Sequence, residues 1–315
     1  MGVFMTGVSL RQLRIGVSSL VLVLVLVTEA NAGTIVRVST SMGDYSIELL
    51  DDLTPLTVQN FLNYTRRGDY NGTYLHRVEN NFVVQGGAYR FQLFVGPIDM
   101  AMDPPVVNEF AVSNTYGTVA MAKFSGDPDS ATNQWFVNTA DNSNSLDATN
   151  GGFTVFGKVL GSGMDVLEAI DDLPTINLGS KASNAPYFTL NYSNPLDFVY
   201  QNVEAVERFS EAYHIYEAAS GLLITSVDVD NGTLVNLSLG TVASSIGLVI
   251  QADLFSVIPR RDAYEGIATF SSTDNRLRIP NLEVYFNGIV SVVNNVVFVL
   301  SDADNFRFTL ESYDQ

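Results

Sequence analysis

Beyond residue 32 the apolar stretches of this chain are short, alternate with polar residues, and are cut every few positions by Gly, Asn, Asp or Ser. Long helices cannot be built on that spacing, which selects many short strands joined by turns. Residues 34–40 alternate, Ser41-Met42-Gly43-Asp44 supplies turn chemistry, and residues 45–50 alternate again, so a hairpin is predicted. Further β-type runs fall at 74–78, 82–85, 118–122, 134–138 and 153–159. Two helices interrupt them. One begins at Pro55 behind Asp51-Asp52-Leu53-Thr54, with Val58, Phe61 and Leu62 at helical spacing until Gly68; the other spans 164–170 after Gly161-Ser162-Gly163. Strands in this number with so few helices predict a mainly β chain closed into a barrel or a sandwich.

The first 32 residues follow other rules. Arg11 and Arg14 precede an apolar run over 20–27 and then Thr28-Glu29-Ala30-Asn31-Ala32, the layout of a signal peptide cleaved after Ala32. A membrane anchor is the alternative, but the stretch over 15–27 falls short of the ~20 residues a bilayer span needs. No later stretch is long and apolar enough to span, so the mature chain is expected to be periplasmic or secreted. The chain has no cysteine, which suits an oxidising compartment and excludes disulfides, thiolate nucleophiles and Cys-based zinc sites. Sixteen Lys plus Arg against 34 Asp plus Glu give a formal charge of −18, which repels nucleic acid and anionic lipid. His76 and His214 are the only histidines.

The chemistry-bearing stretch is Tyr74-Leu-His-Arg-Val-Glu-Asn-Asn-Phe-Val-Val-Gln-Gly-Gly87. It resembles the cyclophilin family of peptidyl-prolyl isomerases, whose signature runs Phe-His-Arg-Val-x-x-x-Phe-Met-x-Gln-Gly-Gly. Other segments fall in the family's order: Asn60-Phe61-Leu62, Asn108-Glu109-Phe110, Gly117-Thr-Val-Ala-Met-Ala122, Ser130-Ala-Thr-Asn-Gln-Trp-Phe136, Leu146-Asp147 and Val155-Phe-Gly-Lys-Val159. The resemblance covers residues 34–206. It implies an eight-stranded antiparallel barrel with two helices, a rotamase acting on proline-containing peptides and unfolded or exported proteins, and no cofactor or metal.

Carried over by position, the resemblance makes Arg77 the catalytic guanidinium and Gln85 its polar partner, with Gln134 holding the groove. Phe82, Phe136 and Leu146 line the proline pocket, and Ala122 and Lys123 lie along the peptide backbone. His76 is read as a structural neighbour that orients the strand, with only a minor substrate contact. Val83 stands where Met is usual and Phe153 where His or Tyr is frequent, which keeps the pocket apolar but alters its shape. Trp135 alternates with Phe136 and must face the other way. The chemistry fits such a set. X-Pro rotation is slow because it breaks C–N resonance, and a fixed cation with an apolar grip favours the twisted amide over both planar forms. Arg stays charged and presents several donors in a rigid fork.

Three segments are thus expected: a signal peptide at 1–32, an isomerase domain at 33–208 and a β-rich module at 209–315. The module carries an internal echo, an aromatic, a turn, a strand and an Asn-Gly turn at 231–232 and again at 287–288, which predicts two β units with Ile224 and Ile279 at equivalent inward positions. Asp228-Val-Asp230-Asn231-Gly232 lacks the bidentate Glu of a calcium loop and reads as a turn. An alternative function is a non-catalytic proline-peptide binder or scaffold whose β module selects the partner.

Overall fold

The first hairpin forms as its alternation requires: β1 (Ile35–Thr40) pairs antiparallel with β2 (Gly43–Leu49), Ile35 opposite Glu48 and Thr40 opposite Gly43. Helix α1 (Pro55–Arg66) follows and buries Val58, Phe61, Leu62 and Tyr64. Thr54 precedes it but gives no side-chain cap. The amides of Leu56 and Thr57 donate instead to Glu109, at 3.2 and 2.8 Å, so a remote carboxylate faces the positive end of the helix dipole. This computed structural model describes residues 33–92, 95–179, 181–189 and 194–314, and the signal peptide expected at 1–32 lies outside the described residues.

Next in the chain come β3 (Thr73–Tyr74), β4 (Arg77–Glu79), β5 (Val83–Gly86), β6 (Tyr89–Gln92), β7 (Gly96–Asp99), β8 (Thr118–Met121) and β9 (Trp135–Asn138). After them are α2 (Ser143–Leu146), β10 (Val155–Leu160), α3 (Gly163–Asp171), the short pair β11 (Thr175–Ile176) and β12 (Ala185–Pro186), and β13 (Tyr200–Val206). The sheet runs β4-β5-β9-β8-β10-β2-β1-β13-β3, with the β6–β7 hairpin flaring from β3. Its two ends meet because β3 continues into β4 through Leu75 and His76, whose amides bond Val199 O at 2.9 Å and Gln85 O at 3.1 Å. Counting β3 and β4 as one bent strand, the expected antiparallel eight-stranded barrel is closed. Two longer helices were expected and are present; the single-turn α2 is an addition.

Val36, Val38, Ile47, Val84, Val119, Val137 and Val203 fill the interior. Against them Phe61 of α1 meets Trp135 edge-on at 5.8 Å and Phe156 at 4.9 Å, so the helix is pinned by rings at one end of the barrel. Truncating either Phe61 or Trp135, both fully buried, would cost about 3–5 kcal/mol.

Residues beyond 209 build β14 (Ile215–Glu217), β15 (Leu222–Val229), β16 (Thr233–Val242), β17 (Val249–Ala252), β18 (Ile258–Pro259), β19 (Ala268–Ser271), β20 (Arg276–Phe286), β21 (Ile289–Asp302) and β22 (Arg307–Asp314). The ring β15-β16-β17-β22-β21-β20-β19 returns to β15, a second closed barrel. β14 and β19 share one gap: β14 pairs with β15 at 222–224 and with β20 at 283–285, and β19 takes the other half. Leu223, Val227, Leu239, Ile250, Ile279 and Phe298 pack inside.

The echo is not reproduced in detail. Ile279 lies in this core, whereas Ile224 points the other way from Leu223 and packs with Val206 and Ile215 on the barrel's outside. A one-residue difference in phase moves a strand residue to the opposite face. The turns differ too, with Asn287-Gly288 a two-residue turn at φ 50° and 80°, but three residues between β15 and β16, where positive φ falls on Asp230 and Asn231.

Residues 33–315 pack as one compact unit, and the join between the two barrels is polar and buried. Asp44 accepts from Arg37 Nη2 at 2.6 Å and stands 3.5 Å from Arg260 Nη1 of the second barrel. Asn236 Nδ2 donates to Thr40 O at 2.9 Å, Asn202 Nδ2 to Ser256 O at 2.6 Å, and Arg261 pairs with Asp197. Apolar contacts flank these bonds, Ile258 against Tyr74 and Tyr200 among them. Among the described residues no helix is long and apolar enough to cross a membrane.

Candidate functional site

Four neighbouring strands, β4, β5, β9 and β8, set Arg77 opposite Gln85, Gln85 opposite Phe136 and Phe136 opposite Ala120. Their neighbours in sequence, Val78, Val84, Trp135, Val137 and Val119, point into the barrel. Period-2 alternation therefore puts the first four side chains in one row on the outer wall.

The polar end of the row is hydrogen-bonded throughout. Arg77 Nη1 donates to Gln85 Oε1 at 3.2 Å, and Gln85 Nε2 donates to Gln134 Oε1 at 2.9 Å. On its other side Arg77 Nε lies 3.4 Å from Glu79 Oε1, which also accepts from Asn184 Nδ2 at 2.7 Å. Arg77 keeps about a third of its side chain, 34%, open to solvent, so its remaining donors can reach a ligand.

The apolar end is a cluster of Val83, Ala120, Phe136, Leu146 and Val155, with Phe82, Ala122 and Phe153 partly exposed around it. Phe136 and Phe153 meet edge to face, their centroids 6.0 Å apart. Leu146 reaches the cluster from α2. Asn142, at the N-terminus of that turn, donates to Phe82 O at 2.7 Å and so ties the loop after β4 to the helix.

Two expected residues sit apart from the row. His76 is 4% exposed, its ring edge-on to Tyr89 at 5.0 Å, and burial pushes its pKa down to about 4, against a smaller opposing pull from Gln134. It is a neutral strut behind the wall. Lys123 Nζ is engaged by the carbonyls of Asn150 and Gly152 at 2.8 and 2.6 Å and stands 5.0 Å from the Phe153 ring. Burial lowers its pKa. The amine therefore braces the loop that carries Phe153.

Glu79 and Asn184 were missed by sequence reasoning. Glu79 could have been found, since it follows Arg77 by two positions on a strand and must share its face. Asn184 lies 105 residues from Glu79 and left no local signal.

Residues 35–187 match the family described as cyclophilin type peptidyl-prolyl cis-trans isomerase/CLD. The chain is 42% identical over 160 residues to the peptidyl-prolyl cis-trans isomerase of Acinetobacter baylyi, a match covering 50% of this chain and 81% of that protein. It is 42% identical over 142 residues to peptidyl-prolyl cis-trans isomerase B of Escherichia coli, covering 43% and 83% of the two chains. A solved cyclophilin type isomerase from Cryptosporidium parvum aligns with a TM-score of 0.42 at 20% identity, over 56% of this chain and 99% of that one. With most of two such relatives matched at this identity, the chain belongs to the cyclophilin-type peptidyl-prolyl cis-trans isomerases.

Proposed function

We propose that this chain isomerises X-Pro bonds in exported proteins, with Arg77 as the catalytic group and the Phe136 cluster as the proline pocket. The observation that carries the reading is the row itself: a half-open guanidinium, fixed by Gln85 and Glu79, beside an apolar hollow. Rotation about the C–N bond meets a barrier of ~18–20 kcal/mol because planarity is lost. A proline ring held against Phe136, Val83 and Leu146 fixes one side of the amide. As the bond twists, the amide nitrogen regains its lone pair, and a donor already aimed there stabilises the twisted state more than either planar one. No proton is transferred and no bond breaks, so a permanently charged Arg suits the task.

In this reading residues 1–32 direct export, residues 33–208 carry the chemistry, and residues 209–315 influence which protein is held. Mixing the mature chain with a short Ala-Pro peptide and following cis/trans relaxation tests the activity. Arg77→Ala should slow catalysis by roughly 10²–10³-fold, as expected for removing one preorganised donor, with an unchanged far-UV spectrum. Relaxation at the uncatalysed rate would leave the non-catalytic binder as the better account, and a processed N-terminus elsewhere than Gly33 would overturn the export signal.

A further inference from the structure

β4 carries Arg77 at the end of the sheet, and its edge away from β5 is covered by a segment from far along the chain. Asn184 forms a parallel β-bridge with Arg77, and its carbonyl accepts from the amide of Val78 at 2.8 Å. That backbone contact brings the Asn184 side chain to Glu79, whose Oε1 accepts from Nδ2 at 2.7 Å and faces Arg77 Nε at 3.4 Å. One carboxylate oxygen therefore serves both groups. Among the described residues nothing else bonds this carboxylate, which is 40% exposed.

The segment that carries Asn184 is anchored on the second barrel. Ala182, Ala185 and Tyr187 are buried with Tyr74, Phe198 and Tyr200 of the first barrel and with Ile258 of β18. Tyr187 forms a bridge with Phe198, and the amide of Phe188 donates to Asp197 O at 2.9 Å. Arg261, three positions past Ile258, pairs with Asp197, donates to Leu196 O at 2.7 Å and stands 4.9 Å from the Phe188 ring. Its own amide donates to Ser41 O at 2.8 Å. Packed and hydrogen-bonded groups thus run without a break from β18 to the Arg77 guanidinium.

We propose that Asn184 is a positioning residue for the isomerisation, acting through Glu79 on Arg77, and that the second barrel holds it in place through Ile258 and Arg261. The inference rests on the proposed function in taking Arg77 as the group that acts on the amide. An arginine side chain has many rotamers, and a donor favours the twisted amide only if it is aimed before rotation begins. Gln85 holds Arg77 at Nη1 and Glu79 holds it at Nε, so two points set the guanidinium plane. Without the Asn184 amide, the half-open Glu79 carboxylate turns to water and releases Nε, or closes over the nitrogens a substrate needs. Either movement lowers kcat. Neither touches Phe136, Val83 or Leu146, so the grip on the proline ring, and with it KM, stays as it was.

The experiment measures kcat and KM for a short Ala-Pro peptide on the full mature chain and its variants, with far-UV spectra and urea midpoints on the same samples. Asn184→Ala keeps the backbone bond to Val78 and should lower kcat about tenfold with KM unchanged, as a small misplacement of a catalytic group does. Asn184→Asp has the same shape but sets a like charge against Glu79, and should lose at least as much. Arg261→Met should lower kcat about threefold, a usual size for coupling through packed groups. In a Glu79→Ala background none of the three should lower kcat further, because the route through Glu79 is already cut. A merely structural role would cost as much there as in the wild type. Wild-type kcat in both Asn184 variants, a raised KM in place of a lowered kcat, or an undiminished effect in the Glu79→Ala background overturns the proposal. Wild-type kcat in Arg261→Met overturns the part given to the second barrel. Arg77→Ala separates the two readings: turnover retained there sinks the proposed function and this inference with it, whereas turnover lost there but unchanged in the Asn184 variants sinks this inference alone.

Discussion

Replacing Asp44 by Asn should destabilise the chain more than replacing Arg260, the more distant of the two arginines it contacts. Asp44 is the carboxylate between two buried guanidiniums, Arg37 and Arg260, whose side chains are 3% and 1% exposed. In Asp44→Asn, Arg37 keeps only Ser210 O at 3.1 Å. Arg260 keeps Asp262 at 2.8 Å, a carboxylate that is 43% exposed and therefore a weak counter-charge. Leaving buried charge uncompensated costs about 3–5 kcal/mol, or roughly 5–8 °C in melting temperature for a chain of this size.

Arg260→Met leaves Asp44 its bond to Arg37 and lets Asp262 return to water. What it loses is the charged donor to Ser226 Oγ at 2.8 Å and Asn236 Oδ1 at 3.2 Å, worth about 1.5–3 kcal/mol. The double variant should cost less than the sum of the two by ~1–3 kcal/mol, because the partners share one site. Urea titration followed by far-UV circular dichroism and by Trp135, the single tryptophan, measures all three. Equal stabilities for wild type and Asp44→Asn, a larger loss in Arg260→Met, or strict additivity would refute the bridging role of this carboxylate.

Glu109→Ala should destabilise α1 by about 1 kcal/mol, the usual cost of a lost helix cap, seen as a lower urea midpoint with little change in turnover per folded molecule. His76 stays neutral in the fold, near 4, but titrates near 6.5 when unfolded; the unfolded chain thus binds the extra proton, and stability should fall as pH drops from about 6.5 to 4, a slope absent in His76→Gln. Glu204 behaves in the opposite sense: desolvation pushes it up to about 7, so the folded chain holds the proton above the unfolded pKa, and stability should fall as pH rises toward and through 7, with Glu204→Gln flattening that decline. Phe136→Ala should raise KM for a Pro-containing peptide about tenfold or more, in keeping with losing a buried ring, and unchanged kinetics would remove Phe136 from the pocket.

The first barrel was legible because its signals are local. Alternation at 34–50 and 74–85 gave strand and face, and Pro55 and the glycines before Met164 marked the helices to within a turn. Arg77, Gln85 and Phe136 needed the family resemblance to be singled out, but their common face follows from strand spacing alone. Helix α2 was missed since four residues cannot show a helical period. Ile224 was misplaced because a loose echo fixes the phase of a strand only to about one residue, and that residue decides inside from outside. Glu109 at the α1 terminus and Asn236 against Thr40 bridge 52 and 196 residues. Such pairs leave no trace in spacing, because the chain between them sets nothing about where they meet.

The first strand of the first barrel is closed by its last: β1 pairs with β2 on one side and β13 on the other. At ~5–20 residues per second the chain between them takes on the order of 10–30 s to synthesise. Throughout that time one edge of β1 has no partner, and the apolar face it shares with Val36 and Val38 has no lid. A nascent molecule is thus for many seconds an open sheet with a bare strand. Truncations that end before residue 200 should therefore persist in that state.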